Sequence, residues 1–111
     1  MTRLALFLAI LPTCVMAAEG LRDGTYDAYD CDAPVSDQRV ILRENDLAFY
    51  ESACLLSNPE PVRGLDGAVL FDASCSGEGD AWSERYLLMH ANDGGLIVVG
   101  DAWAERHTRC E

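Results

Sequence analysis

Apolar positions in this chain come in short runs separated by turn residues, and no stretch sustains an apolar period of 3.6 residues. Thr25–Asp30 alternates weakly and predicts a first strand, followed by a turn cluster over Asp32–Asp37. Gln38–Arg43 is compact and β-branched, Glu44-Asn45-Asp46 is a tight turn, and Leu47–Ser52 is a return strand; this is the strongest hairpin signal in the chain. Leu55–Asp66 holds Asn58-Pro59-Glu60-Pro61 and Gly64. Prolines remove ladder donors, so this segment predicts irregular structure. Ala68–Cys75 reads as a strand, Ser76–Asp80 as a glycine-rich loop, Arg85–His90 as a strand, and Ala91–Gly95 as a turn. Between Asp80 and His90 there is room for a helical turn at most. Leu96–Val99 is a short buried strand and Ala102–Cys110 closes the chain. No low-complexity tract or linker interrupts the pattern, and no segment is read as a repeat of another. Short strands punctuated by turns define an all-β class, an antiparallel meander of about six or seven strands forming a small barrel or a compact sandwich.

Ahead of the meander, Arg3 precedes an apolar run from Leu4 to Leu11, Pro12 breaks it, and the tract ends in Ala17-Ala18. A bilayer-spanning helix needs about 20 apolar residues, so this run is too short for an anchor and reads as a cleavable secretory signal. The expected organisation is a signal peptide over residues 1–18 and one β domain over residues 19–111, located in the periplasm or secreted. Leu11-Pro12-Thr13-Cys14 has the outline of a lipidation site, but the reading taken is that Cys14 is lost with the leader.

Of the five cysteines, the loss of Cys14 leaves Cys31, Cys54, Cys75 and Cys110, and an even set in a small exported chain predicts a disulfide framework. No Cys-x-x-Cys occurs, so these thiols have no zinc or thioredoxin spacing. In an up-and-down meander Cys31 and Cys54 emerge at the same end of the sheet, which favours Cys31–Cys54 with Cys75–Cys110. A closed barrel whose first and last strands are neighbours would instead suit Cys31–Cys110 with Cys54–Cys75.

The formal net charge is −11, and removing Arg3 with the leader makes it one unit more negative. Such a charge repels phosphate backbones and anionic headgroups, so no nucleic-acid partner is expected; it fits a cationic partner such as a basic protein or a metal ion, while solubility is the preferred reading of the charge alone. Asp23, Asp27, Asp30 and Asp32 form an acidic cluster suited in type to a hard divalent cation, but without EF-hand spacing; solvated strand-end acids are the preferred reading, and no metal ligand is assigned. No cofactor motif is present. His90 and His107 belong to no metal or hydrolase signature, and no Gly-x-Ser-x-Gly elbow occurs, so no catalytic residue is assigned and the expectation is a non-enzyme. The most distinctive string is Ser76-Gly77-Glu78-Gly79-Asp80-Ala81-Trp82, in which two glycines permit positive φ and two acids precede an indole. Glu78, Asp80 and Trp82 are the candidate partner-binding residues, although the preferred reading of the string is a connection whose Trp82 folds back onto the core. The other aromatics, Phe49, Tyr50, Phe71, Tyr86 and Trp103, are expected mostly in the core.

In size, leader, β pattern and a cysteine one residue from the chain end, the sequence resembles small exported bacterial β domains and, in architecture, the periplasmic C-type lysozyme inhibitors. That resemblance implies a small disulfide-bonded β-barrel that binds a cationic enzyme. It carries over no residue role, because Ser76-Gly77 is followed here by Glu78-Gly79-Asp80 and lacks the tyrosine that the family's loop has two residues on. The expected function is a non-enzymatic binding module, one form of which is an inhibitor of a cationic protein. The alternatives are a small divalent-cation binder or a hydrolase with a site not legible as a motif.

Overall fold

The computed structural model describes residues 20–110; the expected leader, with Cys14, lies outside them. Eight strands follow one another round a closed antiparallel barrel: β1 (Gly24–Asp27), β2 (Arg39–Arg43), β3 (Asp46–Phe49), β4 (Ser52–Pro61), β5 (Val69–Gly77), β6 (Asp80–His90), β7 (Leu96–Gly100) and β8 (Trp103–Arg109). The all-β antiparallel class is as the periodicity implied, and of the two forms left open the barrel is the one observed.

The additional strand is β4, where irregular structure was expected. Its first residues pair with β3 (Phe49 opposite Ser52 through Asp46 opposite Leu55), whereas its later residues pair only with β5. A proline on that unpaired side removes no ladder bond. Between Ser57 and Glu60 the register shifts, and Asn58 takes φ 51° there, so a bulge absorbs Pro59. The expected glycine-rich loop is also mostly strand. Gly77 pairs with Asp80, and Glu78 (φ 50°) with Gly79 (φ 83°) forms a two-residue turn with both residues left-handed. Turns of that kind match the twist of the strands they join. No helix is present between Asp80 and His90.

Alternation sorts the wall into two faces. Val40, Leu42, Leu47, Cys54, Leu56, Val69, Phe71, Ala73, Cys75, Tyr86, Leu88, Leu96 and Val98 point inward and are buried together. Arg43, Leu55, Ser74 and Arg85 point outward and are exposed. The interior is thus apolar, whereas the interior of a membrane-spanning barrel is polar. Among the described residues no helix is long and apolar enough to cross a membrane.

One end of the barrel is shut. Leu21 is buried in the core, and the segment around it crosses under the barrel. The Tyr26 hydroxyl donates to Arg22 O at 2.6 Å, and Arg109 Nη1 donates to that hydroxyl at 2.7 Å. Arg22 N donates to His90 Nε2, leaving His90 Nδ1–H to donate to Gly95 O, while Glu44 N donates to Asp23.

The pairing of cysteines differs from the favoured one: the bridges are Cys31–Cys110 and Cys54–Cys75. Cys54 and Cys75 face each other in the β4–β5 register, with Cα atoms 4.0 Å apart inside the barrel. Closure makes β1 and β8 neighbours through only two residue pairs, Tyr26 with Arg109 and Asp27 with Thr108. The β1–β2 loop folds back over the outside of that short seam, where Cys31 meets Cys110. Asp27 is sealed beneath the loop: it accepts bonds from Tyr29 N, Asp30 N, Ser36 Oγ and Arg39 Nε. Burial works to raise the Asp27 pKa, but these donors and the Arg39 charge outweigh it and hold the carboxyl below its ordinary value.

Candidate functional site

The opposite end of the barrel is open. Four connections surround it: the β1–β2 loop and the two-residue turns Tyr50-Glu51, Glu78-Gly79 and Asp101-Ala102. Round the mouth these connections and the adjoining Asp80 carry Asp37, Glu51, Glu78, Asp80 and Asp101; Arg39, at the start of β2, is turned outward onto Asp27. Within the ring of turns a cavity of about 290 Å³ descends into the barrel. Its lining is the upper part of the inward face: Asp37, Gln38 and Val40 on the β2 side, Phe49 and Ser52 across the β3–β4 turn, Trp82, Glu84 and Tyr86 on β6, and Trp103, Glu105 and His107 on β8.

Register explains the placement. Trp82, Glu84 and Tyr86 lie opposite the core residues Cys75, Ala73 and Phe71, so they share the inner face. Glu105 and His107 lie opposite Val98 and Leu96 for the same reason. Trp103 lies opposite Gly100, over which its indole is laid: a Cβ on Gly100 would come within 2.5 Å of the ring. Phe49, Tyr86 and Trp103 form a continuous band, with Phe49 and Tyr86 centroids 5.7 Å apart and Tyr86 and Trp103 6.0 Å apart, edge to face. At the rim the two indoles remain 38% and 40% exposed although they lie on the barrel's inner face, which is what an open mouth requires.

The carboxylates of the cup's inner wall are Glu84 and Glu105, both half-buried. With its amide nitrogen turned toward β8, Gln38 donates to Glu105 Oε1 at 2.8 Å. Glu84 has no hydrogen-bond or ion-pair partner among the described residues, and together with burial it raises the Tyr86 pKa, burial being the larger cause. His107 is buried at the floor; its Nδ1 can only donate to Leu96 O, so Nε2 is the acceptor in the neutral ring. At the rim Glu51 sits beside Glu78, whose hydrogen bond and charge raise the Glu51 pKa.

A larger depression, about 770 Å³, lies outside the wall along Leu70, Asp72, Ser74, Ser83 and Arg85. Arg85 there donates to Asp72 and no aromatic ring lines it, so the smaller cup is the better candidate.

The sequence-nominated residues fall at this end. Trp82 lines the cup, Asp80 begins β6, and Glu78 occupies the turn above it. The acidic cluster does not act as one site: Asp27 is buried on Arg39, Asp23 serves the shut end, and Asp30 accepts from Asp32 N. Among the described residues no three His, Cys, Asp or Glu side chains gather as a metal site.

Glu84, Trp103, Glu105 and His107 were missed as a site, yet a signal for them exists. Gly79-Asp80-Ala81-Trp82-Ser83-Glu84-Arg85-Tyr86 and Gly100-Asp101-Ala102-Trp103-Ala104-Glu105-Arg106-His107 are the same string at all but two positions, so the chain does contain an internal repeat. In both copies Trp, Glu and the final ring point into the cup. In both the arginine points outward and pairs with an aspartate 13 residues earlier, Arg85 with Asp72 and Arg106 with Asp93. The turn falls at different places in the two copies, but the alternation is preserved. The cup is therefore walled by two copies of one motif, on β6 and β8, with β7 and its side-chain-free Gly100 between them.

No family model, characterised protein or solved structure matches this chain. Eight strands enclose an interior either just filled by side chains or able to hold one small group. Here the shut half is filled and the open half is not.

Proposed function

We propose that this protein is a binding module for a cationic partner, which it engages with the open end of the barrel. The observation that carries this reading is the composition of that end: an aromatic cup with two inward carboxylates, no basic residue in its lining beyond His107, and a ring of acidic turns outside it. Carboxylates half-withdrawn from water gain more from an arriving cation than exposed ones do, and the outer acids attract a basic partner over a distance of about 8–10 Å at physiological salt. Export to the periplasm or medium fits the two disulfides and belongs to the same proposal. So does inhibition of a cationic protein, as the form such binding would take if the partner presents its active surface to the mouth.

The test is chemical-shift mapping with a short peptide alternating basic residues and glycine, at low and high salt. Expected are shifts of the Trp82 and Trp103 indole N–H groups and of Glu78 and Asp80 amides, fading steeply as salt rises. Shifts confined to the shut end or the outer wall would overturn the reading.

A further inference from the structure

We propose that the cup is a guanidinium site, which takes one arginine side chain presented by a basic protein. This rests on the function proposed above and specifies its ligand.

The lining sets two demands on an occupant. It must offer a flat face to the indoles of Trp82 and Trp103 and the ring of Tyr86, and it must supply in-plane donors to Glu84 and Glu105. An apolar ligand would strip water from both carboxylates and return nothing. A quaternary ammonium satisfies the rings but donates no hydrogen bond. A lysine ammonium is a compact, strongly hydrated charge with no face to stack. A divalent cation needs about six oxygens, and this wall is largely aromatic. Guanidinium meets both demands: its plane stacks on aromatic rings and its edge carries five N–H donors matched to carboxylates.

Two features of the molecule support the assignment. Among the described residues the ion pairs, Arg39–Asp27, Arg85–Asp72 and Arg106–Asp93, each join a guanidinium to an aspartate away from the cup. Glu84, by contrast, is half-buried on the inner face and is left without a cation of its own. The repeat, moreover, duplicates the Trp-x-Glu unit on β6 and β8, so the cup presents an indole and a carboxylate from each of two walls. The volume, about 290 Å³, falls at the lower limit of small-molecule pockets, which suits one side chain. The acids outside the cup extend the negative field beyond what one side chain would use, and this favours arginine on a basic protein over a free guanidinium compound.

The experiment titrates the full domain, bridges intact, with N-acetyl-arginine methylamide, N-acetyl-lysine methylamide and tetramethylammonium, followed by tryptophan fluorescence and indole N–H shifts. A second arm uses a glycine-spaced peptide with one central arginine flanked by lysines. Expected is saturable binding of the arginine probe in the millimolar range, about tenfold tighter than the lysine probe. The peptide should bind tighter still, with the added affinity lost at high salt. Glu84→Gln and Glu105→Gln should each weaken the arginine probe about tenfold while the melting temperature holds, which separates lost recognition from lost folding. Equal binding of the arginine and lysine probes in the cup, or tighter binding of tetramethylammonium, would overturn the guanidinium assignment and leave the cationic-partner function standing. Peptide shifts at the acidic turns without shifts at the indoles would do the same. Arginine probe bound as tightly as the peptide would overturn the protein source. No response at the open end to any probe would overturn both proposals.

Discussion

The two ends of this barrel are built from the same alternating strands and do opposite things with their inward polar groups. On β8 the inner stripe runs Trp103, Glu105, His107, Arg109 from the open end to the shut one. At the shut end the cation is consumed: Arg109 bonds to the Tyr26 hydroxyl and to Asp23 O and lies over the Tyr26 ring, 5.4 Å from its centroid. Leu21, Tyr26 and His90 fill what remains. At the open end the inward charges are Glu84 and Glu105, with no arginine inside to meet them. A fold that needed only stability would have filled both ends alike. An unmatched, half-buried charge costs stability, and such costs concentrate where a protein binds something.

The largest way to disturb this comparison is to release the seam. Replacing Cys31 and Cys110 by Ser frees a loop of sequence separation 79; loop-closure entropy gives a loss of about 4 kcal/mol, against about 3 kcal/mol for the shorter Cys54–Cys75 loop. Denaturant unfolding measures both, and hydrogen exchange should quicken first at Tyr26 and Thr108, where β1 and β8 share only two residue pairs. Exchange quickening first around Trp82 would show that the seam does not depend on this bridge.

Next in size is Asp27→Asn, which leaves Arg39 without its buried partner and should cost about 3 kcal/mol. The wild-type carboxyl has a lowered pKa when folded. Its contribution is therefore present in full above the unfolded value of about 3.9 and is lost as pH falls through the lower folded value. Melting temperature against pH should fall steeply below about pH 4 in the wild type, and Asp27→Asn should flatten that limb.

At the open end the same kinds of change should touch binding more than stability. Gly100→Ala puts a methyl group where the Trp103 indole lies; it should swing that ring off β7 and cost about 1 kcal/mol or less. The cup should lose cation affinity, and a shifted Trp103 indole resonance would report the movement. Glu84→Gln removes an unpaired charge and should leave stability unchanged or raise it by about 0.5 kcal/mol, while the Tyr86 pKa moves down toward its ordinary value. A clear loss of stability would mean that Glu84 has a structural partner after all.

Smallest is Glu78→Gln at the rim. It should let the Glu51 pKa, held up by its neighbour, return toward the usual carboxylate range, as side-chain titration by NMR would read. No change would mean that the two turns do not meet in solution.

The sequence by itself determined the class of fold and most of its strands. Period-two alternation with turn residues at short intervals leaves antiparallel β as the only economical reading, and β2, β3, β5 and β7 follow from their β-branched and apolar runs. It also determined that Cys31, Cys54, Cys75 and Cys110 form bridges, and it singled out Trp82 with the acids before it. What it did not determine was anything that depends on which strands become neighbours. Pro59 and Pro61 looked like breakers, but they lie where β4 has no partner on its β3 side. The bridges depended on closure, which set β1 against β8 and placed Cys54 opposite Cys75. The cup depended on closure most of all. Trp82-x-Glu84-x-Tyr86 and Trp103-x-Glu105-x-His107 were present in the chain as a repeat, but an alternating strand does not say which of its faces turns inward. Only the curved wall decided that both copies face the same space, and only the segment around Leu21, shutting the far end, decided which mouth stays open.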